Sequence, residues 1–292
     1  MPEDAEHAAA WGNGYIHSKR NSFPVAAEFS LEGDDTPLDK LTVKKLTYLI
    51  SRKGRKPPNC IKNWTETLTP LPRGVAPLDW KAIASLFNNG FLSSKDYHLH
   101  YRHIIHRGIV TRHTWPADHG PLCRLCRGAD ERTFHMGKCP IILEIFDNLK
   151  RLDPTIQINN SVEVLFAFPK AGMGTRCLAT ILWKFILQHF YGITGATAPT
   201  NTALIWAKGL RRFAELALRH EAATQKLIRD NLDKDKPAPK ASKFNNIIAP
   251  LATINSDTRL RWSDEVYEEL SRQELKQYIS YGRHGYQGSA PA

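Results

Sequence analysis

The chain lacks a long hydrophobic run. Its most apolar stretch, residues 177–193, is interrupted by Lys184 and also contains Gln188 and His189, and it is shorter than the ~20 residues that a membrane-spanning helix needs. The N-terminus, MPEDAEHAAAWGNG, is acidic and has neither the apolar segment of a secretory signal nor the arginines of a transit peptide. The sequence therefore predicts a protein that does not associate with membranes and that works in the nucleus or the cytoplasm.

Cysteine is scarce and unevenly placed. The chain has five cysteines in 292 residues, and three of them fall between positions 123 and 139. An odd number without a secretory signal argues against a disulfide framework, and a tight cluster of this kind indicates a metal site. We expect the two remaining cysteines, Cys60 and Cys177, to be reduced structural thiols.

Acidic residues are nearly absent from residues 40–113. This segment carries fourteen Lys or Arg against three acidic residues, Glu66, Asp79 and Asp96. The excess of eleven positive charges equals the net charge of the whole chain, +11. The positive potential therefore belongs to one segment, which is typical of proteins that bind a polyanion such as nucleic acid.

Strand signals are few and helical periodicity predominates, so the sequence predicts a mainly α protein. The best strand signal lies at residues 162–168. We expect six regions along the chain: a disordered tail at 1–39, a basic helical segment at 40–113, a metal-binding knuckle with the following helix at 114–152, a helical packing region at 153–232, a linker at 233–262 and an isolated C-terminal helix at 263–282.

Two adjacent helices are expected near the end of the basic segment. The first opens after Pro77 and the second is capped by Ser93 or Ser94. Trp80 and Tyr101 lie on the apolar faces of these helices, where we expect them in the core. A stripe of polar and basic side chains follows the opposite face of the second helix: Lys95, His98, Arg102 and His106. We expect the histidines of this region on a basic surface (His98, His100, His103, His106 and His113), although the i,i+3 pair of His103 and His106 can also hold an ion.

The cysteine cluster has the spacing C-x2-C-x8-H-x3-C. Cys123 and Cys126 can reach one ion from a single tight turn, and His135 and Cys139 are four residues apart, so that one helical turn presents both. Three sulfurs and one nitrogen complete a tetrahedral set that is typical of structural zinc and leaves no open position for water. The alternatives are four buried core residues or a site that no longer binds metal.

Beyond the four ligands, the sequence resembles a known zinc-binding region. The resemblance rests on YRHIIHRGIVTR at 101–112, on Cys123-x2-Cys126, on Glu131-x3-His135, and on Cys139-Pro140 with the helical pattern at 145–149. This pattern is similar to the region that follows the reverse transcriptase domain in LINE-type, non-LTR retrotransposon proteins. The resemblance covers about residues 78–215, and three residues separate His135 from Cys139 where the family commonly has four.

The polymerase that accompanies such a region in the family is not expected here. The paired aspartates of a polymerase palm have no counterpart, since Asp34-Asp35 follows Gly33 in the tail, and Asp153-Pro154 reverses the order of a nuclease motif. The glycines of residues 171–175 are not followed by Gly-Lys-Ser/Thr, which favours a plain turn before a helix. We therefore expect a protein without enzymatic activity.

The resemblance and the charge together imply a zinc-dependent module that binds RNA or single-stranded DNA. We expect phosphate contacts from six basic residues: Arg102, Arg107, Arg112, Arg124, Arg127 and Lys138. Trp115, beside Pro116 in a loop, is the candidate for base stacking. The alternatives are a zinc-stabilised scaffold that binds a protein partner through the C-terminal helix, and a retrotransposon remnant without a selected function.

Overall fold

The computed structural model describes residue 64 and residues 78–87, 89–106, 122–193, 200–233, 241–255 and 259–279. In chain order these form α1 (Trp80–Phe87), α2 (Ser94–His106), α3 (Thr133–Met136), α4 (Pro140–Leu152), α5 (Ser161–Leu165), α6 (Met173–Gly192), α7 (Thr202–Leu232), α8 (Ala241–Ile248), β1 (Ala252–Ile254), β2 (Leu260–Trp262), α9 (Asp264–Arg272) and a 3-10 turn at Lys276–Tyr278. The mainly α class is confirmed. None of the helices described is long and apolar enough to cross a membrane.

The core is built around α6. This helix is buried on nearly every side, as its sequence predicts, and it packs against α2 and α7. The close approach of α7 depends on Gly209, because a Cβ there would overlap Leu182 of α6. At the start of α6, the backbone N–H of Gly174 donates to Ala249 O at 2.8 Å, and a Cβ would overlap Ile248. The glycines at 172 and 174 therefore allow α8 to pack against the N-terminus of α6.

The strand predicted at residues 162–168 is wrong. Residues Ser161–Leu165 form α5, a short helix whose N-cap Asn160 accepts hydrogen bonds from the backbone N–H groups of Val162 and Glu163. Val162, Val164 and Leu165 are all buried. A short run of buried apolar residues is compatible with either a strand or one helical turn. Here the N-cap Asn160 stabilises the helical turn.

Much of the predicted linker is also folded. Within 233–262, the structure places α8 and the antiparallel hairpin β1–β2, in which Thr253 pairs with Arg261. Both strands alternate buried, exposed and buried residues, so their apolar side chains complete one edge of the core. Residues 234–240, the most linker-like by composition, lie outside the described residues.

The C-terminal helix is shorter than predicted and is not isolated. The sequence predicts Ser263 as its N-cap, and Ser263 Oγ accepts from Val266 N at 3.3 Å. However, α9 ends at Arg272 rather than at the predicted residue 282. Val266 and Leu270 are buried, and Trp206 of α7 donates through Nε1 to Glu269 Oε1 at 2.7 Å. An amphipathic helix of nine residues is too short to be stable alone, and the core supplies the contacts that hold it.

Most of the N-terminal region lies outside the described residues, including the predicted tail at 1–39. Trp64 is the exception: its side chain is fully buried, and its Nε1 donates to Ile104 O at 2.6 Å. This hydrogen bond fixes Trp64 itself against α2.

Candidate metal centre

Four side chains converge on one point between α3, α4 and the turn before them. The ligand atoms of Cys123, Cys126, His135 and Cys139 all lie within 4.8 Å of one another. Cys126 Sγ is 3.2 Å from His135 Nε2, and all three cysteines are free thiols. The spacing of these residues in the sequence therefore predicted a real cluster.

The first two ligands lie on a tight turn. Cys123 N donates to Ala129 O at 2.8 Å, and Arg127 N donates to Cys123 O at 2.8 Å. Arg127 takes the left-handed conformation with φ 56, which lets Gly128 N point back at Cys126 Sγ at 3.5 Å. The turn thus presents two sulfurs on one side.

The other two ligands flank the junction of α3 and α4, so the prediction that one helical turn presents both is wrong. His135 lies in the single turn of α3, and Cys139 is the N-cap of α4 with Pro140 at its first position. Proline is favoured there because its fixed φ suits the helix and the N–H that it lacks would have no acceptor within the helix. A helix N-terminus also stabilises a thiolate.

The thiols are poised for a cation. A hydrogen bond from Cys139, with N–H groups of Cys126 and Leu125, lowers the pKa of Cys123, although burial acts in the opposite direction. The same shared proton and burial raise the pKa of Cys139. Thiols bind a metal ion as thiolates, so a divalent cation bound here would displace their protons.

A buried ion pair locks the knuckle beside these ligands. Glu131 is fully buried. Its carboxylate accepts hydrogen bonds from the backbone N–H of Arg124 at 2.9 Å and from Arg124 Nη2 at 2.8 Å. The guanidinium of Arg124 also lies 3.8 Å above the ring of Phe190 in α6, and its side chain is only 14% exposed. Sequence reasoning missed this positioning role, because a contact between residues seven apart in a turn leaves no periodic signal.

The other predicted nucleic-acid contacts divide into two groups. Arg127 and Lys138 are exposed and adjoin the ligands Cys126 and Cys139 in the chain, and Arg102 is exposed on α2. The remaining candidates lie outside the described residues: Arg107, Arg112 and Trp115.

The predicted surface position of the α2 histidines is wrong for two of them. His98 is exposed, but His100 and His103 are fully buried. His100 Nε2 lies 3.0 Å from Leu165 O, and both histidine rings stack against Trp183. Neither ring nitrogen of His103 has a hydrogen-bond partner among the described residues. The face of α2 that meets α6 is thus partly polar, which hydrophobic periodicity does not register.

This buried pair predicts sensitivity to acid. Burial disfavours the imidazolium and lowers the pKa of His100 to about 4 and that of His103 to about 3, against about 6.5 in an unfolded chain. The contribution of each neutral histidine to the free energy of unfolding is therefore complete above pH ~6.5. It declines as the pH falls, because the unfolded chain then binds a proton that the folded protein does not bind. Between pH ~7 and ~5, His103 alone should account for a loss of about 2 kcal/mol.

We expect His103→Leu to retain its stability at pH ~7 and to exceed the natural protein at pH ~5 by about 2 kcal/mol in urea unfolding. His98→Leu, at an exposed position of the same helix, is the control and should show no such difference. Equal losses on acidification in the His103 variant and the natural protein would contradict the assignment.

Comparisons with protein-family models, with curated proteins and with solved structures found no match to this chain.

Proposed function

We propose that Cys123, Cys126, His135 and Cys139 hold one structural Zn²⁺. The donor set supports this identity, because thiolates and imidazole in tetrahedral number select zinc over the harder divalent cations. All four donors come from the protein, so a bound ion keeps no open position for a substrate. The metal then fixes the turn before α3 to the N-terminus of α4.

We further propose that this zinc-organised module binds single-stranded nucleic acid, RNA or DNA, and is a relative of the retrotransposon zinc region. The observation that carries the proposal is the placement of exposed cations beside the ligands. Arg127 follows Cys126 directly and Lys138 precedes Cys139 directly, and both are exposed. A metal that holds the two cysteines in place therefore also fixes the backbone positions of Arg127 and Lys138. The basic segment before the knuckle adds the excess charge of the chain.

Arg124 has a different task in this proposal. Its guanidinium is engaged by Glu131 and covered by Phe190, so it positions the knuckle and leaves phosphate to its neighbours. Its loss should reduce zinc retention before it reduces affinity for nucleic acid.

The proposal predicts steep salt dependence. Each phosphate contact on a single strand contributes about 0.7 to the slope of log Kobs against log salt. The double substitution Arg127→Gln with Lys138→Gln should therefore lower that slope by about 1.4, measured by fluorescence anisotropy with labelled single-stranded RNA, single-stranded DNA and duplex DNA. The matched control is Lys208→Gln with Lys226→Gln, which removes two exposed lysines of α7 and should leave the slope nearly unchanged.

Zinc content is measured on the same samples. A zinc-loaded protein that binds none of the three nucleic acids at low salt would contradict the proposal. Equal effects of the two double substitutions would contradict the role of the knuckle.

The scaffold hypothesis has less support. It depends on an unpartnered C-terminal helix, but the apolar residues of α9 face the core. The exposed positions of this helix are all polar: Asp264, Glu265, Glu268, Ser271 and Arg272. A partner would therefore find no apolar face on α9 to cover.

A further inference from the structure

Three aromatic rings form a cluster on the outer side of α1 and α2. The ring of Phe87 lies 5.4 Å from that of Tyr97 and 5.2 Å from that of Tyr101, which it meets edge to face. The two tyrosine rings are 6.3 Å apart. The ring of Phe87 thus packs against both tyrosine rings.

Tyr101 is not in the core, contrary to the expectation from its position on the apolar face of α2. Its side chain is 39% exposed, and Tyr97 is half-buried. The buried positions of α2 are instead taken by Asp96, His100, His103 and Ile104. The helix is therefore rotated relative to the sequence prediction, and the tyrosines lie at the rim of the buried face.

The exposed charged residues within α1 and α2 are all basic. The exposed residues of α1 and α2 include Lys81, Lys95, His98 and Arg102. Asp96 is the only acidic residue between positions 80 and 106. It is fully buried and pairs inward with Lys184 and Arg212. Neither α1 nor α2 therefore carries an exposed carboxylate, and the exposed Asp79, directly before α1, accepts from Ala82 N at 2.9 Å.

We infer that this face of α1 and α2, defined by Phe87, Tyr97, Tyr101, Lys95, His98 and Arg102, is a base-stacking subsite for a single-stranded nucleic acid. The inference rests on the proposed function and deepens it by naming where bases bind. Aromatic rings with exposed faces stack on unpaired bases regardless of sequence, while neighbouring cations neutralise the backbone. A duplex keeps its bases stacked on one another, so this subsite discriminates in favour of single strands.

The chemistry favours nucleic acid over a protein ligand. The residues that define this face include no aliphatic side chain, whereas a helix-binding groove is lined by aliphatic residues. An acidic peptide would satisfy the cations but not the exposed ring of Tyr101. An acidic peptide therefore serves as the competing ligand in the test.

The test uses the zinc-loaded full chain with labelled oligouridylate, oligothymidylate and duplex DNA. Tyr101→Ala should weaken binding to both single strands about tenfold or more, with little change in the salt slope, since no charge is removed. Tyr101→Phe keeps the ring and should bind as the natural protein does. The matched control is Tyr191→Ala, since Tyr191 of α6 is 37% exposed; it should bind normally.

The basic half of the subsite is tested separately. Lys95→Gln with Arg102→Gln should lower the salt slope for single strands by about 1.4. Normal binding by Tyr101→Ala, or the same loss in Tyr191→Ala, would overturn the subsite while leaving the proposed function intact. Competition by polyglutamate as strong as by unlabelled oligouridylate would also overturn it. Absence of binding in the natural protein would instead overturn the proposed function.

Discussion

Removal of zinc is expected to lower the melting temperature of the protein by about 8–16 °C. A ligand held a thousandfold above its dissociation constant stabilises the folded state by about 4 kcal/mol, and each kcal/mol corresponds to about 2–4 °C in a protein of this size. The knuckle transmits this loss because it is continuous with the core. Met136 beside His135 is fully buried, and Phe134 meets Trp64 edge to face at 6.5 Å.

The single substitution that tests this is Cys126→Ser, with Cys177→Ser as its control. Both replace a free thiol, but Cys177 is in α6, outside the cluster. The first variant should retain well below one equivalent of zinc and melt at the temperature of the chelated natural protein; the second should keep a full equivalent. Co²⁺ in place of zinc should give the absorption of a tetrahedral thiolate site in the control only. Full zinc retention by Cys126→Ser, or melting that is indifferent to chelator, would contradict the metal assignment.

The part of this site that sequence predicts is the part encoded by short spacing. Two cysteines three positions apart need only a tight turn, and His135 and Cys139 need only the junction between two short helices. Local chemistry of this kind is legible in the chain. The clamp of Arg124 on Glu131 and Phe190 is not, because it requires knowing that α6 passes over the knuckle.

The same distinction explains the fold. Periodicity and caps in the sequence predict long helices at 141–152, 176–191 and 203–232, and α4, α6 and α7 lie within a few residues of these bounds. Between α7 and α9, the composition is typical of a linker, and the strands are too short for their alternation of apolar and polar residues to predict a hairpin. Their apolar positions, such as Ile254 and Leu260, become meaningful only against the core that buries them.

In helix α2, buried polar residues make the prediction of the buried face from hydrophobic periodicity wrong. Its sequence offers tyrosines as the apolar face, yet the buried side carries a carboxylate and two imidazoles. These groups are tolerated because partners far along the chain receive them. Lys184 and Arg212 lie 88 and 116 positions beyond Asp96, and no local rule predicts such pairs.

Asp96 is therefore the residue whose loss we expect to destabilise the fold most among the ion pairs described. Its carboxylate accepts from Arg212 Nε at 2.9 Å and Nη2 at 3.0 Å, and from Lys184 Nζ at 3.1 Å. Burial alone would raise its pKa, but the hydrogen bonds from Arg212, Ser93 and Lys184 outweigh burial and hold the pKa of Asp96 well below its usual value. The group thus stabilises the protein above its unfolded pKa and loses that contribution on acidification below pH ~4.

Asp96→Ala should lower the free energy of unfolding by about 3–5 kcal/mol, because two largely buried cations lose this carboxylate. Lys184 then has no carboxylate partner among the described residues, and Arg212 keeps only Glu215 at 3.2 Å. Urea unfolding at neutral pH measures the loss. The control is Asp130→Ala, which breaks the pair with Arg132 whose side chains are 47% and 69% exposed, and it should cost less than about 1 kcal/mol. A second substitution, Lys184→Met, should recover part of the loss in the Asp96 variant, since the cation that lost its partner is then removed. A loss below about 1 kcal/mol in Asp96→Ala would show that the three elements are held together by apolar packing alone, and the orientation of α2 would then not depend on this carboxylate.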